Sequence, residues 1–276
     1  MRRSIALVAA VAALGLAGAA NAASVEIRDA VARVTVIPED RSDVKVELLT
    51  NNADLPLSVR IVGSDTIIDG GLERRIAGCQ MKHRPSAARV RGLGSIKYDS
   101  IPQVVIRTPR AVSVRSNGVV FGSLGRSASL DMRNSGCSDW AIADVAGDAN
   151  IEDSGAGLVK MGTARRLDLR LSGASQVHAT RIRQGLDASL SGVGSVTIDE
   201  VSGPMEAKVA GVGRIRVASG HAGAVRASVS GMGLVELGGV ADSLEAAISG
   251  FGTIHVKDVI GSVSKSVSGG GHVTIG

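Results

Sequence analysis

The sequence predicts an all-β chain wound as a parallel β-solenoid, with coils of about 19 residues preceded by an irregular β cap layer. Three observations carry that expectation. The first is a recurring phrase, Leu186-Asp-Ala-Ser-Leu-Ser-Gly-Val-Gly-Ser-Val-Thr-Ile198, which returns over 205–217, 225–237, 244–256 and 263–275. Its marker glycines, Gly173, Gly192, Gly211, Gly231, Gly250 and Gly269, are separated by 19, 19, 20, 19 and 19 residues. The second is an alternation of apolar and polar residues inside each copy, the period of a strand. The third is composition: 36 Gly but only one Trp, one Tyr and two Phe in 276 residues, as suits a thin core filled by Val, Ile, Leu and Ala.

Within a copy the inward set is Leu186, Ala188 and Leu190 before the corner, then Val196 and Ile198 after it, with equivalents in every repeat. Stacked in register, these positions become aliphatic ladders, and Asp187, Glu206, Lys208, Arg214, Arg216 and Glu236 form a polar outer wall. The glycines belong at corners, where the backbone must turn sharply or approach the coil below. Ser172, Ser191, Ser230, Ser249 and Ser268 precede the marker, with Ala210 the exception. One such coil cannot bury its apolar face alone, so the repeats are expected to fold as an array.

Residues 1–22 read as a signal peptide. Arg2 and Arg3 open it, an apolar run follows from Ile5 to Leu16, and Ala20-Asn21-Ala22 supplies a cleavage pattern. The run is too short to span a membrane, and no later stretch is long and apolar enough to do so. A periplasmic or secreted location is expected, with the cell surface as a further possibility. Residues 23–100 read as the cap, with strands expected at Val25–Ile27, Ala32–Val36, Val44–Leu48, Leu57–Ile61 and Thr66–Ile68. Its segment 73–100 is the least strand-like and the most basic, with Arg74, Arg75, Lys82, Arg84, Arg89 and Arg91. A solvated surface loop is one reading of it; a docking patch for an anionic partner is the other. The solenoid proper is expected over 101–276. Weaker corners at Gly118, Gly136 and Gly155 bring the count to nine coils, a column roughly 40 Å long.

The opening Val31–Pro38, the stretch Asp43–Val46, the run Ile101–Ile106 and the Ser-Gly-x-Gly corners together resemble the bacterial "head GIN domain" family, a domain of unknown function associated with autotransporter adhesin heads. The resemblance covers nearly the whole chain after residue 22. It implies a right-handed parallel β-helix, an exported Gram-negative setting and an adhesin-like role, and it brings no catalytic residues. The sequence stops at its last coil, so the outer-membrane barrel of an autotransporter is not expected.

Without residues 1–22 the formal charge is +3, which does not suggest a nucleic-acid partner. Parallel β-helices include polysaccharide lyases and hydrolases, whose sites need clustered carboxylates on an outer face. Here Asp168, Arg170, Asp187, Glu206, Lys208, Arg226 and Glu245 mix their signs, as a solvated wall does. His83, His178, His221, His255 and His272 lack metal-ligand spacing, although His255 and His272 fall on adjacent coils. No metal or cofactor is expected. Of the aromatic residues that stack on sugars, Trp140 occupies an inward position and reads as core, leaving Tyr98.

Two cysteines in an exported chain invite a bridge between Cys79, in the basic segment, and Cys137, in a corner slot; two free thiols are the alternative. The same slot holds Val193, Val212, Met232 and Phe251 in later coils, either as packed corners or as an exposed stripe for a partner. The open last coil allows an end-to-end homodimer. The functional expectation is an exported, non-enzymatic solenoid presenting a binding surface to an anionic polysaccharide, another envelope component or another protein. The alternatives are a carbohydrate-active β-helix enzyme and a purely structural envelope protein.

Overall fold

The computed structural model describes residues 24–80 and 87–276. The signal peptide expected at 1–22 lies outside the described residues, as do Lys82, His83 and Arg84. The architecture is the expected one: parallel strands stack coil upon coil, two main runs per coil, with a glycine corner between them. Nine coils carry such corners, from Ala111–Leu124 to the final pair Val263–Val267 and His272–Ile275.

Register is strict and explains the repeat length. Asp187 pairs with Glu206 and Glu206 with Arg226 in the first run, while Val196 pairs with Ile215 and Ile215 with Val235 in the second. Each inward residue therefore stands on its counterpart. The ladder Leu171, Leu190, Val209, Val229, Ile248 is buried throughout, as is the ladder Val177, Val196, Ile215, Val235, Ile254. In the last coil Val263 and Val267 are exposed, because no described coil stacks on them. Trp140 is fully buried, as its inward position predicts.

The cap is built differently from a simple layer beneath the stack. The expected strands at 25–27 and 32–36 are one strand, Ser24–Glu39, and it forms a coil of its own. Above, it pairs in parallel with Ala111–Leu124; below, with Asp65–Asp69 and Gln103–Pro109. The chain thus lays down its second level first, loops beneath it and returns to continue upward. Its corner is Asp29, whose backbone is left-handed (φ 47°) and whose N–H donates to Asn117 Oδ1 at 2.7 Å. The lower edge is closed by two antiparallel strands, Lys45–Thr50 on Gln103–Pro109 and Ser58–Val62 on Asp65–Asp69. These end parallel growth and put charged side chains such as Lys45 and Glu47 at the edge, which blunts it against further pairing.

Between Asp65–Asp69 and Gln103–Pro109 the chain leaves the corner of this lowest level as an insertion. The segment read as a surface loop is a three-stranded antiparallel sheet, Ile76–Gln80, Ala87–Val90 and Gly94–Lys97, bounded by single 3-10 turns at Glu73–Arg75 and Tyr98–Ser100. Its short strands hide behind their arginines in the sequence. Ala88 and Val90 point inward and join Leu72 and Ile101 over Val31, Val119 and Phe121, making a second small core outside the solenoid.

One inward ladder is polar near this end. Ser116, Asn134 and Asp153 hold positions that Leu171 and Leu190 hold above, and Ser138 and Ser175 are buried on the opposite run. Ser116 Oγ donates to Asn134 Oδ1 at 2.6 Å, and Asp153 Oδ1 accepts from the Gly155 N–H at 2.9 Å. Burial pushes the Asp153 carboxyl above its ordinary range, opposed in part by the Gly155 N–H and by nearby Ser175 and Asn134. A raised folded-state value means the fold favours the neutral acid. Stability is therefore lost as pH rises from the ordinary carboxylate value through the raised one. Asp153→Asn should raise the melting temperature at pH 7, with the gap to the parent closing as pH falls to the ordinary carboxylate value.

At the corners the backbones touch. A Cβ on Gly173 would collide with the carbonyl oxygen of Gly155, and one on Gly155 with that of Gly136. Gly173→Ala should destabilise by more than about 3 kcal/mol, as forced backbone movement in a packed core does, while the adjacent Ser172→Ala stays within about 0.5 kcal/mol. Thermal unfolding of the two variants checks this.

Candidate binding surfaces

The disulfide joins Cys79 of the inserted sheet to Cys137 at the corner of an early coil, with the Cα atoms 6.0 Å apart. The open alternative of two free thiols is thereby resolved. The bridge closes a 58-residue separation and clamps the inserted sheet against the solenoid. By chain entropy such a loop is worth about 4 kcal/mol. The bond also sits where a second core meets the first, so its loss should act locally. In Cys79→Ser/Cys137→Ser, amide exchange is expected to accelerate across Ile76–Lys97 while the coils above residue 166 keep their protection.

The inserted sheet carries the expected basic residues on its outer side. Arg89 stands between buried Ala88 and Val90 on one strand, Arg91 follows directly after that strand, and Arg74 and Arg75 lie in the adjoining 3-10 turn. Arg91 donates to the Arg74 carbonyl at 3.3 Å and Arg75 to the Arg91 carbonyl at 3.5 Å, which holds the end of the Ala87–Val90 strand against the Glu73–Arg75 turn. All four side chains are exposed, and among the described residues none makes an ion pair. Lys82 and Arg84, expected to belong to the same patch, fall outside the described residues.

The solenoid wall behaves in the opposite way. Arg133 reaches Asp131 and Glu152 at 3.6 Å each, Arg170 reaches Glu152 and Asp168, Arg181 reaches Glu200, Arg226 reaches Glu245, and Lys208 pairs with Glu206. Arg133–Glu152, Arg170–Glu152, Arg181–Glu200 and Arg226–Glu245 join neighbouring coils because the repeat places them in one column, while Arg133–Asp131, Arg170–Asp168 and Lys208–Glu206 lie along one strand. In such exposed positions each pair contributes little to stability, about 0–1 kcal/mol. What they do is neutralise the wall. One row departs from alternation: Asp168, Asp187 and Glu206 stand directly above one another. Partial burial and the two flanking carboxylates push the Asp187 carboxyl up, with Lys208 and Arg170 opposing. The 19-residue repeat puts these residues on neighbouring coils, and the register pairs them directly.

The corner slot is exposed where it was in doubt. Val193, Val212, Met232 and Phe251 are between 46% and 77% exposed, so they form a bare apolar row and not packed corners. Val193, Val212 and Met232 are paired in register, and Phe251 follows them one coil on, its ring over Gly270. Further down, the same column holds Val119 and Val31, both buried beneath the inserted sheet, and half-buried Cys137. One column is thus covered at one end by the chain's own sheet and uncovered at the other.

The remaining side chains fill out the picture. His178 bonds Asp199 at 2.8 Å and His221 bonds Asp242 at 2.6 Å, both on the surface. His255 and His272 are diagonal neighbours, but His255 Nδ1 is engaged with Thr274 Oγ1 at 2.9 Å. Among the described residues no group of three or more His, Cys, Asp or Glu is arranged to hold a metal ion. No described helix is long and apolar enough to cross a membrane.

The fold and these surfaces define a class: a β-solenoid with a disulfide-clamped sheet inserted at one corner. No protein-family model matches the chain, and no curated protein does. Among solved structures it is similar to a candidate cell adhesion protein from Clostridium sporogenes, at 8% identity over 92% of this chain and 94% of that one, with a TM-score of 0.19. A likeness that low carries no argument.

Proposed function

We propose that the protein is an exported, non-enzymatic solenoid that presents a binding surface for anionic envelope or extracellular polymers, with the inserted sheet as its working face. The observation that carries this reading is the contrast in charge pairing. Most arginines of the wall are matched by acids, Arg115, Arg166, Arg183 and Arg214 being the exceptions, whereas Arg74, Arg75, Arg89 and Arg91 gather on one inserted unit and are all exposed without a matching acid among the described residues. Unneutralised cations on a rigid platform attract polyanions at long range and hold them at contact. The Cys79–Cys137 bridge fits an oxidising compartment, and with the leader at 1–22 it supports a periplasmic or secreted location. The resemblance of Val31–Pro38 and the Ser-Gly-x-Gly corners to the head GIN domain family supports an adhesin-like role.

A second reading, a carbohydrate-active enzyme, is favoured by the Asp168, Asp187 and Glu206 row. Carboxylates on adjacent parallel strands stand roughly 5 Å apart, and Asp187 is biased toward its acid form.

One experiment addresses both. The protein lacking residues 1–22 is incubated with polygalacturonate, a sulfated glycan and a neutral glucan. Binding to the polyanions alone, weakening as salt rises, is expected. The variant Arg74→Ala/Arg89→Ala/Arg91→Ala should bind roughly tenfold more weakly, at about 0.5 kcal/mol per cation removed. Binding indifferent to salt and to the variant defeats the proposal. Shortening of a polymer, abolished by Asp187→Asn, replaces it with the enzyme.

A further inference from the structure

Where the inserted sheet rejoins the solenoid there is a cavity of about 320 Å³, apart from the arginine face. Tyr98, Phe121, Arg33, Asp139, Gln103 and Ser123 line it, with Thr35 and Gly122 between them. Its volume is at the lower end of ligand pockets, roughly 300–1,000 Å³.

The chain has four aromatic side chains, and two of them meet here. Tyr98 and Phe121 pack edge to face with ring centroids 5.4 Å apart. The Arg33 guanidinium lies 5.1 Å from the Tyr98 ring centre, while its Nε donates to the Ile101 carbonyl at 3.0 Å. These contacts fix the half-buried tyrosine without any ligand present. Pre-organisation of this kind removes part of the ordering cost of binding.

The polar lining narrows the chemistry. Arg33 and Asp139 contribute one positive and one negative charge, so the cavity as a whole favours neither anions nor cations. Gln103, Ser123 and Thr35 add donors and acceptors that suit hydroxyl groups. A fixed aromatic ring, balanced charge and several hydroxyl-matching groups in so small a volume fit a polyhydroxylated ring. We infer that this cavity is a binding site for a single neutral sugar residue, separate from the polyanion face and independent of it.

Tyr98 is the only tyrosine of the chain, so it reports on the site by itself. Protein labelled with 3-fluorotyrosine gives one 19F resonance, followed during titration with glucose, galactose, mannose and N-acetylglucosamine. Glycerol and sodium sulfate are the controls. A saturable shift in the millimolar range is expected for at least one sugar, equal at about 50 and about 500 mM salt, since no net charge is involved. The variant Ala141→Trp, at an exposed position on the rim, should fill the cavity and abolish the response while leaving the melting temperature unchanged; Asp139→Asn should weaken it several-fold. Absence of a saturable shift with all four sugars overturns the inference. So does an equal response to glycerol, a response to sulfate that disappears with salt, or a sugar response that survives in Ala141→Trp. Because Arg74, Arg89 and Arg91 take no part, their triple variant should respond to sugar as the parent does, whatever becomes of polyanion binding.

Discussion

Successive corners of the solenoid touch backbone to backbone, and nearly every other feature depends on that contact. With no side chain at Gly155, Gly173 or Gly192, each corner settles onto the carbonyl of the one below. The approach fixes the register of both runs, and strict register is what turns a repeated sequence into continuous ladders. A one-residue slip would carry every leucine and valine of a run to the outside. The aliphatic core is therefore a consequence of the corner as much as a cause of the fold.

Register also governs the exterior. Residues 19 apart become neighbours, so charges of opposite sign repeated with that offset neutralise one another, as Arg181 with Glu200 and Arg226 with Glu245. Like charges repeated with it accumulate, as in the row through Asp187. The inserted sheet escapes both outcomes because it is not part of the stack. Its arginines have no coil above or below to match them, which is why an uncompensated basic face survives on a molecule with so balanced a wall. The buried polar ladder of Ser116, Asn134 and Asp153 lies in the same lower coils, a place where the structure gives up apolar packing.

The insertion reshapes the corner column as well. Beneath the sheet, Val31 and Val119 belong to a second core; beyond its reach, the same column is bare at Val193, Val212, Met232 and Phe251. An apolar residue in that slot thus has two different meanings according to its level. The disulfide at Cys137 marks the boundary between them.

By itself the sequence determined the coil. The spacing of Gly173 through Gly269 and the alternation of Leu186, Ala188 and Leu190 specify strand, corner and inward face, because a repeat encodes its own neighbours at a constant offset. It also placed Trp140 in the core and Cys137 in a corner slot, while leaving the pairing of Cys137 with Cys79 open. Tertiary structure alone decided the rest. That Ser24–Glu39 lies between strands formed later, that the arginine-rich segment is a sheet, and that Arg33, Tyr98 and Phe121 enclose one cavity all depend on contacts between segments up to 89 residues apart, as Ser24 is from Ser113. No period links those segments. Their proximity follows from how the chain doubles back through the first levels, and a local pattern cannot carry that information.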